Sequence, residues 1–488
     1  MKIISKISIL FTALIFLSCQ HFGIPASGKS TSEISALFEE IRGNEAILQY
    51  FFTQMPKGGD LHNHLTGSVY AETYFNIALR DGMWLNTDSY VLNLDAVCIS
   101  CIRLNPGMEN ERYFRMRAID HWSIRNFNAY NHTLPPDEFF FATFGKFGAI
   151  TYQHLEEFLK ELRLRARDEN VQYLEIMVTG PRIDAGLVTR YETENNLLIA
   201  LIERRNSPDF TKTLESLYQM WENDSSLQTE IENYINLIDE LHAATAETAP
   251  EVTTYYQTYA GRNTKDPIAV FAQLYIGFKS GANNERLVGV NIVQPENGDY
   301  SLRDYWGHMQ MFSFLKSRYG SAKTSMHAGE LRLGLTPPEN LQSNIHDAVV
   351  IAGANRIGHG VGIAFERNAP YLLRRMADSN IVVEINLTSN EFILGVKDSE
   401  HPIMLYHRKN VPLVLSTDDA GILRTNLSQQ FVIAALRYPE LKYEDFKNFA
   451  LNSIKYSFMP EDVKEIELNK FIEQTEIFEK EIVKNLFR

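Results

Sequence analysis

Gly59-Asp60-Leu61-His62-Asn63-His64-Leu65 is the stretch on which the reading of the fold turns. The run 59–64 is short and strand-like, and on a strand residues two apart project to one face. His62 and His64 then point the same way, so that both imidazoles can meet one cation. An isolated H-x-H pair proves little, because such pairs arise by chance on surface strands. Its weight depends on what stands at the ends of the other strands.

Further runs share the β-rich character: 172–178, 270–278, 287–293, 324–328, 356–358, 381–387 and 412–416. Most end in polar or glycine-containing loops, and helical stretches separate them. The clearest helix is 152–167, where Leu155, Phe158, Leu159, Leu162 and Leu164 recur at helical spacing. Such alternation argues for parallel strands joined by right-handed crossovers. The residues alone give an α/β chain. Counted as eight units, they predict a TIM (β/α)8 barrel, whose working face lies at the C-terminal ends of its strands. Two stretches exceed simple connections and read as insertions: 82–136, rich in aromatics and Asn, and 206–265, largely helical and acidic.

The 488 residues suit one large barrel with insertions or two ordinary domains. Hydrophobic residues make up 44% and charged residues 22%, which leaves ample material for a core. Lys+Arg 47 against Asp+Glu 61 gives a formal charge of −14 with no basic run, which argues against a nucleic-acid partner.

The N-terminus differs from the rest. Lys2 and Lys6 precede an apolar run, 7–17, too short to span a bilayer, and 1–19 reads as a secretory signal. Phe16-Leu17-Ser18-Cys19 resembles a bacterial lipobox, in which Cys19 is lipidated and becomes the mature terminus. The alternative is a plain signal with an incidental cysteine. No later segment approaches ~18 uninterrupted apolar residues, so the expectation is an extracytoplasmic body tethered to a membrane through its lipid alone. Residues 20–32 read as a flexible tether. Ser30-Thr31-Ser32-Glu33 fits a capping box, and the apolar spacing predicts an N-terminal helical extension over 33–54. It would pack on the body by default, or on a second copy in a homodimer, and 55–488 would form the barrel. Cys98 and Cys101 either pair, as an oxidising compartment allows, or remain two small buried thiols. Two cysteines alone do not make a structural zinc site.

Three further blocks stand at strand ends. His327-Ala328-Gly329-Glu330 places a carboxylate three residues after a histidine, past a permissive glycine. Gly358-His359-Gly360 sets a histidine between two glycines. Ser416-Thr417-Asp418-Asp419 closes an apolar run with adjacent acids, which are costly together without a cation or donors to hold them. His62, His64, His327 and Asp418 together supply three nitrogens and one oxygen. That set suits Zn²⁺ with a position left open for water, and Glu330 and His359 remain as acid/base groups.

With Met55-Pro56-Lys57 ahead of the H-x-H, these blocks resemble, in order from Met55 to about Gly421, the adenosine deaminase family; 139–181 is also similar. The N-terminal segment and early insertion resemble its secreted adenosine-deaminase-related growth factor branch. The resemblance implies a (β/α)8 barrel holding one Zn²⁺ per chain and replacing the 6-amino group of adenosine or deoxyadenosine by hydrolysis. It also implies roles: His62, His64, His327 and Asp418 as zinc ligands, Glu330 as proton donor to purine N1, His359 orienting the attacking hydroxide, and Asp419 contacting N7. Zinc brings the pKa of its water toward ~7, and protonating the ring nitrogen eases attack at the neighbouring carbon.

Two positions depart from the family's pattern. Thr66 stands where an Asp usually contacts the ribose, and a hydroxyl has shorter reach and no charge. Gln294 stands where a Gly offers its N–H to purine N3. Both leave another 6-aminopurine nucleoside open as substrate. The growth-factor likeness leaves open a catalytically weak binding or signalling protein on the same barrel, although no ligand or proton donor is missing. No Arg/Lys cluster accompanies the blocks to meet a phosphate. The other zinc-deaminase arrangement, H-x-E followed by P-C-x-x-C, is excluded by order, since His154-Leu155-Glu156 follows Cys98 and Cys101. His242, His346, His401 and His407 read as caps or surface groups, with His401-Pro402 ordering a loop.

Overall fold

Gly59–His64 (β1), Tyr173–Met177 (β2), Thr253–Gly261 (β3) and Leu287–Val293 (β4) pair in that order as one parallel sheet. Ser325–Ala328 (β5), Arg356–His359 (β6), Val382–Ile385 (β7) and Leu413–Leu415 (β8) form a second. Parallel bridges Asn63↔Asp418 and Val290↔Thr324 join the two sheets along both seams, and the result is a closed (β/α)8 barrel. This computed structural model describes residues 30–96, 98–128 and 133–486. Cys19, with the signal segment and residues 20–29, lies outside the described residues. The tether reading stops short of its expected end, because the helix Ser30–Ile41 already begins at Ser30.

One expected strand is wrong. Residues 270–278 belong to the helix Pro267–Asn283, and the third barrel strand is β3, which falls inside the span 206–265 read as an insertion. Val270, Phe271, Leu274, Tyr275, Ile276 and Phe278 are all buried because this helix is covered on several sides, by β3 and β4 and by the helices Ser225–Thr245 and Asp299–Arg318. A helix buried all round loses the one-sided spacing that would separate it from a buried strand. Two helices, Ser207–Trp221 and Ser225–Thr245, lead into β3.

The helices Ser30–Ile41 and Glu45–Gln54 lie on the C-terminal helices Leu427–Arg437, Tyr443–Lys455 and Glu461–Leu486. Phe38, Phe51 and Phe52 meet Phe431, Tyr443, Phe446 and Phe478 there in an aromatic cluster. Between β1 and β2, Trp84–Asn86, Leu92–Asn93 and Cys101–Arg103 form a small antiparallel sheet, and Cys98 is disulfide-bonded to Cys101. Among the described residues no helix is long and apolar enough to cross a membrane.

The barrel interior is partly ionic. Buried Arg356 bridges Glu175 on β2 and Glu384 on β7, so each charge has a partner. Glu384 continues upward to the first histidine of the site.

Candidate active site

Barrel closure brings the separate blocks together. Asp418 N–H donates to the His62 carbonyl at 2.8 Å and His64 N–H to the Asp418 carbonyl at 3.4 Å, which pins the residue after β8 against the end of β1. One ligand atom from each of His62, His64, His327 and Asp418 lies within 4.8 Å of the others. His64 Nε2 and His327 Nε2 face each other at 3.2 Å, and Asp418 Oδ1 stands 3.4 Å from His64 Nε2 and 3.6 Å from His62 Nε2. His62 Nε2 is buried and has no hydrogen-bond partner among the described residues. Imidazole nitrogens and a carboxylate converging on one point, one of them orphaned, fit a divalent cation better than mutual hydrogen bonding.

The supporting groups set the ring orientations. His62 Nδ1 is 2.7 Å from Glu384 Oε2 and His327 Nδ1 is 2.9 Å from Asn291 Oδ1, which leaves each Nε2 free to face the centre. Burial holds His64 down to about 4 and His327 well below the usual imidazole range. Burial alone would lower His62 as well, but the Glu384 contact raises it. Desolvation opposes the charge on Asp418, yet the surrounding imidazoles His359, His62 and His64 pull its pKa down, so it stays a carboxylate. His359 and Asp418 hold left-handed backbone, at φ 65 and 59. Such conformations cost non-glycine residues energy and gather at functional sites.

Glu330 and His359 stand beside this cluster. Burial first, and then the Asp418 charge, push the Glu330 carboxyl well above its ordinary range, which favours its protonated form. His359 Nδ1 lies 3.5 Å from Glu330 Oε1 and accepts from Asn390 Nδ2 at 2.9 Å; its Nε2 is 3.8 Å from Asp418 Oδ2. His401 backs this contact through Asn390 at 3.0 Å and is buried, so it is no surface group. Asp419 is raised by burial and by Asp418, and its Oδ1 is buried without a hydrogen-bond partner among the described residues. Thr66 lines the same cavity. Gln294 has φ 80, a conformation that favours the glycine expected there, and its side-chain oxygen turns aside to accept Asn263 N–H at 2.9 Å.

These groups open into a cavity of about 670 Å³ at the C-terminal ends of the strands, within the usual size of small-molecule sites. Phe140, Phe141 and Phe144 of the helix Pro136–Phe147 line part of it, and Arg182 and Tyr152 contribute as well. Every site residue named from the sequence within the described part of the chain lies at or against this cavity. Glu384, Asn291, Asn390, Arg262 and Glu296 were not foreseen. Each supports the site from a strand or loop remote in sequence, and no local spacing marks it.

Residues 264–474 match the family model described as adenosine deaminase. Over that stretch the chain is similar to the adenosine deaminase family. An adenosine deaminase from Clostridium perfringens is 33% identical over 150 residues, which is 30% of this chain and 42% of that protein. The chain thus spans half or less of the length of the curated relatives it matches. Among solved structures, Arabidopsis ADAL complexed with IMP has a TM-score of 0.56 at 15% identity, covering 88% of this chain and 99% of that one. A Burkholderia ambifaria amidohydrolase with bound Zn has a TM-score of 0.54 at 17% identity, covering 88% and 94%. At those identities the two structures speak for the barrel alone. His62 and His64 precede the matched stretch, and barrel closure is what places them beside the Asp418 within it.

Proposed function

We propose that the chain is a zinc-dependent aminohydrolase that converts adenosine or deoxyadenosine to the 6-oxo nucleoside and ammonia. The observation that carries this reading is a three-histidine, one-aspartate cluster with the buried Glu330 carboxyl beside it at one end of the cavity. A Zn²⁺ held by His62, His64, His327 and Asp418 supplies Lewis acidity and a water nucleophile near neutral pH. Glu330 gives its proton to purine N1, which makes C6 electrophilic; water adds there and ammonia leaves. His359, steadied by Asn390, orients the attacking water, and Asp419 holds N7 from the floor over Gly67. Thr66 and the backbone of Gln294 meet the sugar and the far ring edge.

Glu330→Gln is expected to abolish ammonia release while keeping the metal, and Asp418→Ala to lose both. Turnover by Glu330→Gln at the parent rate would overturn the assignment. The substrate panel is adenosine, deoxyadenosine, adenine and AMP, each with and without chelator. A second reading, a 6-aminopurine bearing an anionic group, is favoured by Arg182, which lines the cavity, stacks 4.3 Å over the Tyr152 ring and makes no ion pair among the described residues. Preference for AMP over adenosine in that panel would select it. The apolar run before Cys19 and the Cys98–Cys101 bond support a lipid-anchored location outside the cytoplasm, which labelling of the terminus at Cys19 by a fatty acid would test.

A further inference from the structure

We infer that Arg262 and Glu296 are positioning residues for Glu330, a buried ion pair that fixes the backbone on which the proton donor is carried. The inference rests on the assignment of Glu330 made above and adds to it the means by which that group is aimed. Arg262 follows directly on β3 and Glu296 lies three residues beyond β4. Both side chains are buried, at 0% and 1% exposure, and neither belongs to the ligand set itself.

Glu296 Oε1 accepts Gly329 N–H at 3.0 Å and Oε2 accepts Glu330 N–H at 2.9 Å. Asn344 Nδ2 adds a bond to Oε1 at 2.6 Å, and Asn344 is held by the Tyr305 hydroxyl on its carbonyl at 2.8 Å. Arg262 donates from Nε to the Gln294 carbonyl and from Nη1 to the His327 carbonyl, both at 2.8 Å, and stands 3.8 Å from Glu296 Oε2. One guanidinium and one carboxylate thus tie the ends of β3, β4 and β5 together where the chain turns.

That turn needs holding. Gly329 sits at φ 74, and a Cβ there would come within 2.6 Å of Ile345, so the loop is tightly placed and cannot lean on side-chain packing of its own. Among the described residues no hydrogen bond holds the Glu330 carboxyl itself; its contact with His359 Nδ1 is 3.5 Å long. The aim of the carboxyl therefore follows the backbone at 329–330, and that backbone follows Glu296. Removing the acceptor would orphan two buried N–H groups and let the loop relax. A shift of about 1 Å in a catalytic group can cost on the order of 10²-fold in rate.

The test is steady-state kinetics on Glu296→Gln, which keeps size but turns an amide NH₂ toward one of the two backbone donors. With adenosine, kcat is expected to fall about 10²-fold while KM and the zinc content measured by mass spectrometry stay at parent levels. In a Glu330→Asp background, whose donor is already misplaced, Glu296→Gln is expected to add little, because the two changes act through one group. Unchanged kcat, loss of zinc alongside the rate, or losses that multiply in the double variant would each overturn the inference. Should Glu296→Gln fail to fold, Asn344→Ala removes one donor to the same carboxylate and keeps every charge; a smaller kcat loss with KM unchanged is then expected, and none would overturn it. A parent enzyme inactive on the whole panel would defeat the proposed function itself, an outcome distinct from an active parent with an indifferent Glu296→Gln.

Discussion

At the scale of the residue, the site depends on atoms that are absent as much as on those present. A Cβ on Gly358 would lie 2.6 Å from His62 Cε1 and 2.9 Å from its Nδ1, so the ring can reach Glu384 and keep its Nε2 toward the centre only because position 358 has no side chain. Gly67 plays the same part for Asp419, whose Oδ1 would be 1.5 Å from a Cβ there. Gly358→Ala is expected to displace His62 and lower zinc occupancy several-fold while leaving the far-ultraviolet circular dichroism unchanged; full occupancy at parent affinity would show that the ring has room. The metal candidates were legible because strand-end blocks place His and Asp where a barrel gathers them. Glu384 and Asn291 were not, since a single acid or amide inside a strand carries no spacing that marks its neighbour across the barrel. Gln294 stands where the family pattern has a glycine. Its positive φ and its bond to Asn263 send the side-chain oxygen elsewhere, which no reading of residue type alone could establish.

At the scale of the element, amphipathic spacing was a sound guide wherever one face meets solvent and failed where none does. The helix Leu155–Asp168, with Leu155, Phe158, Leu159 and Leu162 buried and Glu156, Arg167 and Asp168 outward, is the favourable case. Pro267–Asn283 is the unfavourable one, apolar on several sides and mistaken for a strand, while β3 was hidden by its polar residues, Gln257 bonded to Glu175 in the barrel interior and Thr254 and Thr258 turned to the surrounding helices. The N-terminal helices show what such an extension does for the body. Phe38 is fully buried and contacts Phe51, Phe52, Tyr443 and Phe446, so it joins the first described helix to the last ones. Phe38→Ala is expected to destabilise the protein by about 3–5 kcal/mol, read as a shift in urea or thermal midpoint with the kinetic constants at low temperature unchanged. A loss under 1 kcal/mol would mean that the extension is peripheral to stability.

At the scale of the whole molecule, closure of the barrel is the step that makes a site. Four blocks from β1, β5, β6 and β8 meet only when the seam Asn63↔Asp418 forms, and the imidazoles and carboxylates then face one another in a buried centre. An ion that binds this folded arrangement and not the open chain stabilises the fold by mass action. Chelator treatment is therefore expected to lower the unfolding temperature together with activity, and added Zn²⁺ to restore both; an unfolding temperature indifferent to chelator and zinc would argue against an ion at the centre. The order of the blocks along the chain, their positions at strand ends and the donor types they carry were decided by the sequence alone, because ligand chemistry and strand periodicity are local properties. Which strand fills the third place, how each imidazole is turned, and which buried ion pair holds the proton donor were decided by tertiary structure, because those contacts join residues tens to hundreds of positions apart and no local pattern records them.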